Sequence, residues 1–404
     1  MGLGLSLDAL NFALAGAREG FGPFLGVYLQ HQGFDPALTG FAMSLAGIAG
    51  ILATGPLGAV IDRLTAKRAG MVAAVAAIAL GAVLIVITRN LWLVAIGQVF
   101  IGVADAALAP LVAALTLGLV GQDRYPDRVS RNEAFNHGGN AANAAVAALL
   151  GYWLGLGMVA VAIFVMAVAT SLVLSRIDPE RIDHVAARGG EPDESSTLQV
   201  LWTNKPLLLL GACTFLFQAA NGAMLPFLAQ SLTKAGRDPS LTTGAMTVLA
   251  QVTMVAAALA VPRLSRDKGH GMLLGAALGL VIARAGLAAG SQDLWAIGLV
   301  QVMEGAAMGL AGVAIPALVA GYMDRSGHAS AGLGGVMMLY GAGAAVSPLV
   351  AGLVAQHLGF AASFIALGLI SAIGLALWIG GSLALRRRAA ADEPESAARR
   401  TAAQ

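Results

Sequence analysis

Charge is what this chain has least of. Only 11% of its 404 residues are Asp, Glu, Lys or Arg, where a soluble domain carries about a quarter. With 58% hydrophobic residues, no soluble shape hides this much apolar side chain, and the bilayer is the expected solvent. A net charge of +2 offers no basic surface for nucleic acid. The single cysteine, Cys213, excludes an internal disulfide and any cysteine-based metal cage. His31, His184, His270, His328 and His357 lack ligand spacing, so no metal site is expected. No Gly-rich loop with a following Lys and Ser/Thr is present to cradle phosphates, so neither ATP use nor any other cofactor is expected. The first apolar stretch has no Lys or Arg before it and contains Arg18 and Glu19, which argues against a cleaved leader. Met1-Gly2 with Ser6 fits an acylation pattern by chance, because a spanning helix follows at once.

What the chain does have is long apolar stretches. Twelve are long enough to cross ~30 Å of hydrocarbon. They lie near 7–29, 36–62, 67–88, 91–119, 131–155, 157–177, 205–232, 239–264, 270–289, 293–322, 329–356 and 359–385. The longest polar interruption, 178–204, falls at mid-chain and holds Glu191, Asp193 and Glu194. The expectation is an all-α integral membrane protein of twelve transmembrane helices in two pseudo-symmetric bundles. Residues 1–177 form a first six-helix bundle, 178–204 a linker, 205–385 a second six-helix bundle and 386–404 a tail. With the N-terminus inside, only Arg89, Lys234 and Arg237 fall in outer loops, and Arg18 and Arg284 lie within spans. Every other Lys and Arg is then cytoplasmic, so the basic-residue rule puts both termini, the linker and the tail in the cytoplasm.

A repeat runs through the chain at an offset of 203 residues. Asp35-Pro36-Ala37-Leu38-Thr39 recurs as Asp238-Pro239-Ser240-Leu241-Thr242, and Pro23-Phe24-Leu25 as Pro226-Phe227-Leu228. Leu91-Trp92 recurs as Leu294-Trp295, and Gln98-Val99 with Gly102 as Gln301-Val302 with Gly305. The Asp-Pro pairs suit a helix N-cap followed by proline at the first helical position. Two like-oriented halves are the parallel repeat of one class of secondary carriers, which place a cavity between them near mid-membrane.

Between the second and third spans the chain reads Gly58-Ala59-Val60-Ile61-Asp62-Arg63-Leu64-Thr65-Ala66-Lys67-Arg68. This resembles the signature loop of the major facilitator superfamily, with Thr65 where the family has its second glycine. The resemblance implies a conformational latch built from Gly58, Asp62, Arg63, Lys67 and Arg68, the small Gly58 allowing close helix approach. The bland reading is a cytoplasmic basic loop with one acid. The second-half counterpart, Pro262 to Lys268, is degraded. Proton-driven drug exporters of the family carry Arg and Gln in span four where this chain has Gln98 and Ile101, keeping only Gly102. Their Gly-Pro-rich stretch in span five is also absent, so the subfamily stays unassigned.

Ionisable and polar groups inside spans are costly, which makes them candidate sites. In span five Glu133, Asn136, His137, Asn140 and Asn143 fall within about 120° of one another at 100° per residue. That face either lines the cavity or forms an interhelical polar clasp near the cytoplasmic end. Span one places Asn11, Arg18 and Glu19 within about 100° of Asp8. Arg18 suits an anionic group gripped through a guanidinium fork, and Glu19 suits proton coupling. The alternative is an ion pair, with Asp105 or Glu304 as partners better placed than adjacent residues. Gln98 and Asp105 share a face of span four, Gln301 and Glu304 occupy the matching part of span ten, and Gln218 and Asn221 lie in span seven. Arg284, toward the outer end of span nine, is expected to snorkel.

The function these features favour is a secondary active transporter, not an enzyme, working as a monomer in the cell (inner) membrane. It would move a small organic solute, an anion or zwitterion suiting the mixed charges, by alternating access with proton coupling. The alternative is a lipid flippase or a transport-silent sensor on the same fold.

Overall fold

The computed structural model describes residues 3–18, 21–64, 66–183, 202–323 and 329–401. Among these residues every long element is an α-helix. In chain order they are α1 (Leu3–Arg18), α2 (Gly22–His31), α3 (Pro36–Arg63), α4 (Lys67–Val86), α5 (Leu91–Val120), α6 (Tyr125–Leu154) and α7 (Val159–Ser175). The second half holds α8 (Lys205–Asn221), α9 (Met224–Lys234), α10 (Pro239–Lys268), α11 (His270–Gly290), α12 (Leu294–Tyr322), α13 (Ala329–Leu358) and α14 (Phe360–Thr401).

The helix starts follow from local chemistry. Asp35 accepts a hydrogen bond from Leu38 N at 2.8 Å, and Asp238 accepts one from Leu241 N at 2.8 Å. Each caps a helix that opens on proline, whose missing N–H costs nothing there. The first helix of each half is broken at the same repeat position, between α1 and α2 and between α8 and α9. Pro23 and Pro226 stand just past the breaks; a proline cannot donate to the carbonyl four residues back and crowds it. In the second half the freed Ala223 N–H donates to Ser347 Oγ of α13 at 2.9 Å.

Ten helices among the described residues are long and apolar enough to cross a membrane. Two expected spans stand outside that set: the first, whose residues 19–20 are not among those described, and α6, which carries Arg131, Glu133, Asn136, Asn140 and Asn143 along its length. α6 also begins earlier than its apolar stretch suggests, at Tyr125. The expected linker lies largely outside the described residues, since 184–201 are not among them. Before that gap, Asp183 N donates to Gly118 O at 2.9 Å. The expected tail begins as a continuation of α14, which stays helical to Thr401 although its apolar part ends at Leu385.

Packing repeats as the sequence does. α4 packs on α5 and α7, α1 on α6 and α7, and α3 on α5. The same pairings recur as α11 on α12 and α14, α8 on α13 and α14, and α10 on α12. The halves meet through α3 with α13 and, symmetrically, α10 with α6, while α2 packs against α9. Large apolar side chains such as Phe164, Leu172, Leu259 and Ile373 stay more than half exposed on the outer surface, as suits a lipid-facing wall. The repeat-related Trp92 and Trp295 are likewise exposed at the first turns of α5 and α12.

The halves are closed at one end and splayed at the other. A Cβ on Gly40 of α3 would collide with Pro348 O and lie 3.1 Å from Gly352 Cα of α13, so only glycine permits this approach. Two turns inward, a Cβ on Gly47 would lie 2.6 Å from Ala345 Cβ. Farther along α3, Gly55 and Gly58 face open space with nothing within 4 Å of a Cβ position. The close helix approach expected at Gly58 is not made in this structure: the tight contacts of α3 sit toward Gly40, and Gly55 and Gly58 are open.

Candidate functional site

A cavity of about 540 Å³ lies between the halves, walled by α1, α3, α5 and α13. Its lining mixes small residues (Ala46, Gly47, Gly50), the Thr54 hydroxyl, the thioethers of Met337 and Met338, and two charges, Arg18 and Asp105. Arg18 Nε donates to Asp105 Oδ1 at 2.7 Å. The side chains remain 31% and 43% exposed, so the pair faces the cavity and a solute can reach it. Arg18 stands in the last described turn of α1. Glu19 lies outside the described residues.

The second half builds its charge pair elsewhere. Arg284 of α11 is fully buried and ion-paired with Glu304 of α12, whose side chain is 13% exposed. Its Nε also lies 2.9 Å from Met224 Sδ, and its Nη2 donates to Asn221 O at 3.5 Å, at the end of α8. Arg284 does not snorkel; it plugs the break between α8 and α9. The helix break supplies an acceptor and Glu304 a countercharge, without which this depth would be prohibitive for a guanidinium. Asn221 Nδ2 contacts Glu304 Oε1 at 3.3 Å and Met308 Sδ at 3.3 Å.

Several sequence candidates are placed away from the cavity. Asn11 is buried and donates to Leu7 O of its own helix at 2.8 Å. Gln98 and Gln301 are buried within their halves, 3% and 1% exposed, and neither belongs to the cavity wall. Gln218 is buried in α8, and Asn140 and Asn143 are buried in α6. The Asn143 Cβ lies 3.3 Å from the Cβ position of Gly16, so it packs against α1. Glu133 is exposed and accepts from Asn136 Nδ2 at 3.4 Å. His137 Nδ1 and Gln251 Oε1 of α10 are 2.9 Å apart, a polar link across the halves.

The basic end is fastened by Asp8, which accepts from Arg128 Nη2 at 2.6 Å and from Arg131 Nε and Nη2 at 2.9 and 2.7 Å. The interhelical clasp is thus made by Arg131 and Arg128 with Asp8, tying α1 to α6. Of the latch residues, the side chains of Asp62 and Arg63 lie outside the described set. Lys67 is 2% exposed, and its Nζ donates to Ile61 O at 3.1 Å, capping the last turn of α3. Sequence reasoning missed Gln251, Thr54, Met337 and Met338 because single polar or thioether residues in an apolar helix carry no periodic signal. Arg284 was visible but misassigned, since its acceptors come from a helix break and from another helix.

Helices paired twice over at one spacing, with a walled cavity between the halves, define a membrane transporter fold rather than an enzyme. The family model of the Major Facilitator Superfamily matches residues 7–331, and the chain belongs to that family. It is 37% identical over 384 residues to an uncharacterized MFS-type transporter of Mycobacterium tuberculosis, found in strain CDC 1551 / Oshkosh and in strain ATCC 25618 / H37Rv. That match covers 93% of this chain and 91% of the relative. Among solved structures, a mutant of the nucleoside transporter NupG superposes with a TM-score of 0.81 at 15% identity, covering 94% of this chain and all of that one. The human organic anion transporter MFSD10 (TETRAN) gives a TM-score of 0.61 at 18% identity, covering 93% and 98%. These two share the fold. The chain is a multi-pass integral membrane transporter.

Proposed function

We propose that this protein is a secondary active transporter that binds a small organic anion or zwitterion at Arg18 and couples its movement to protons through Asp105. The observation that carries this reading is the Arg18–Asp105 ion pair on the wall of the cavity between the halves. A guanidinium already held by a carboxylate is an exchange site. An incoming carboxylate or phosphate displaces Asp105 from Arg18 through two parallel hydrogen bonds. The displaced Asp105 carboxylate is then the group that carries the coupled proton. Loss of that proton on the other side restores the Arg18–Asp105 pair and expels the solute. Thr54 and the flexible Met337 and Met338 supply a hydroxyl and adaptable apolar contact for the rest of the molecule.

Twelve spans complete the architecture, counting the broken α1–α2 as one and the polar α6 as another. Residues 1–177 and 205–385 act as the two rocking units. Both termini lie in the cytoplasm by the distribution of Lys and Arg, in the cell membrane, and the open end then faces inward. Alternation closes the 62–68 end and opens the glycine seam at Gly40. Asp62 and Arg63 serve as the latch on the inner side.

The test is uptake into proteoliposomes under an imposed pH gradient, with nucleosides and organic anions both in the panel. Accumulation driven by an inward proton gradient, abolished by Asp105→Asn, supports the reading. Uptake that ignores the gradient, or movement of lipid alone, overturns it.

A further inference from the structure

On the outer flank of the first half, away from the central cavity, the surface between α4 and α7 carries a groove. Two cavities of about 600 and 500 Å³ share Ala76, Ser171 and Ser175 and so form one continuous channel along the helices. Its two ends differ in chemistry. One end is headed by Lys67 and Arg68 at the first turn of α4. The Arg68 Nε is buried and has no hydrogen-bond partner. The other end is lined by Leu80, Val83, Phe164 and Val168, all of them exposed on the lipid-facing surface.

A long apolar slot with a cationic head on a membrane-facing wall matches one kind of molecule. We infer that this groove is a binding site for an anionic phospholipid, its phosphate on Arg68 and an acyl chain along Ala76 to Val83. The bilayer is the medium that covers this surface, so the occupant is lipid, and the Arg68 guanidinium selects its charge. The inference stands apart from the transport reading, because the groove and the cavity between the halves share no lining residue.

The repeat supplies an internal control. The corresponding flank of the second half, between α11 and α14, also carries a cavity, of about 850 Å³. There the offset of 203 replaces Lys67 with His270, Arg68 with Gly271 and Ser175 with Trp378. The Trp378 indole donates to Gly271 O at 2.8 Å, filling the head of the groove. Among the described residues, the Arg68 cation that heads the first groove thus has glycine as its counterpart in the second.

Native mass spectrometry of the purified full chain tests this, titrating phosphatidylglycerol against phosphatidylcholine of the same acyl chains. The wild type should retain one phosphatidylglycerol in preference to phosphatidylcholine. Arg68→Gln should lower that retention about fivefold, as expected for one cation at a membrane surface. Ala76→Trp, a change at an exposed position that blocks the slot, should remove it, while Ala276→Trp in the other flank should leave it intact. Should Arg68→Gln not fold, the two tryptophan variants decide alone. Equal retention of the two lipids, or retention unchanged in Ala76→Trp, overturns the proposal. Displacement of phosphatidylglycerol by millimolar inorganic phosphate also overturns it, since the site would then be for a free anion and not for lipid.

Discussion

Arg18 and Asp105 form an ion pair at 2.7 Å, and their positions one repeat later are held by Asn221 and Met308, which touch at 3.3 Å. Arg284 and Glu304 form the converse case: ion-paired in the second half, they correspond to Gly81 and Ile101, where a Cβ on Gly81 would lie 2.9 Å from Ile101 Cγ1. The duplicated fold thus keeps both contacts in both halves but charges only one in each. The charged contact of the first half opens on the cavity, and that of the second is sealed in the core. Exposure is what separates a site from a strut.

Arg18→Ala and Asp105→Asn should each cut initial uptake by at least about tenfold. That corresponds to losing one charge-assisted contact of ~1.4 kcal/mol or more. Because a part-exposed pair contributes only ~0–1 kcal/mol to folding, melting temperatures in detergent should move by no more than a few degrees. Arg18→Lys keeps the charge but loses the planar fork, so its KM should rise more than its kcat falls. Transport kinetics with parallel thermal melts check all three, and wild-type uptake by Asp105→Asn would refute the role given to the pair.

Arg284→Leu should behave oppositely, as a stability defect. Removing one partner of a buried pair leaves the other charge unpaired, at a cost of ~3–5 kcal/mol. Low expression and a clear drop in melting temperature are expected. The double change Arg284→Leu with Glu304→Leu should recover most of that loss, because it removes the stranded charge. A double variant as unstable as the single one would show that the Arg284 contacts to Asn221 and Met224 matter more than Glu304.

Gly40→Val places a branched side chain where Pro348 O and Gly352 already touch the α3 backbone. The seam at that end should fail to close, shifting the population toward opening there. Labelling of single cysteines introduced along α13 near Gly352 should rise several-fold. The native Cys213 is buried and contributes little background. Unchanged labelling would mean that the seam is not the closing surface.

His137 and Gln251 link α6 to α10 across the halves. Their double-mutant cycle, with His137→Phe and Gln251→Leu, should show a coupling of about 0.5–1.5 kcal/mol, the ordinary worth of one hydrogen bond. The readout is the fraction of protein in the state observed here, measured by distances between spin labels on the two halves. Strict additivity of the two single changes would remove the link.

Much of this was legible in the residues. Asp35 and Asp238 announced their helices because capping is local: the side chain bonds a backbone amide three residues on. The spans were legible because lipid offers no partner for a backbone amide, so apolar length alone forces a helix. Arg18 stood out because charge at mid-span is rare, and Asp105 and Glu304 stood together as its candidate partners if it formed an ion pair. Gln98 and Gln301, by contrast, have the same depth and the same repeat relation, yet each lies inside its own half. Nothing in a helical period says which neighbour a face will meet.

By itself the sequence determined the helices, the duplication and the sorting of charge to one end, because each follows from short-range chemistry or from the cost of moving a charge into hydrocarbon. Tertiary structure alone decided that Arg284 is sealed while Arg18 faces the cavity, that Gly40 and not Gly58 lies in the tight seam, and that Lys67 and Arg68 head a groove on the outer wall. Those outcomes depend on which helix fills the space beside each residue, and that is fixed only when distant segments pack together.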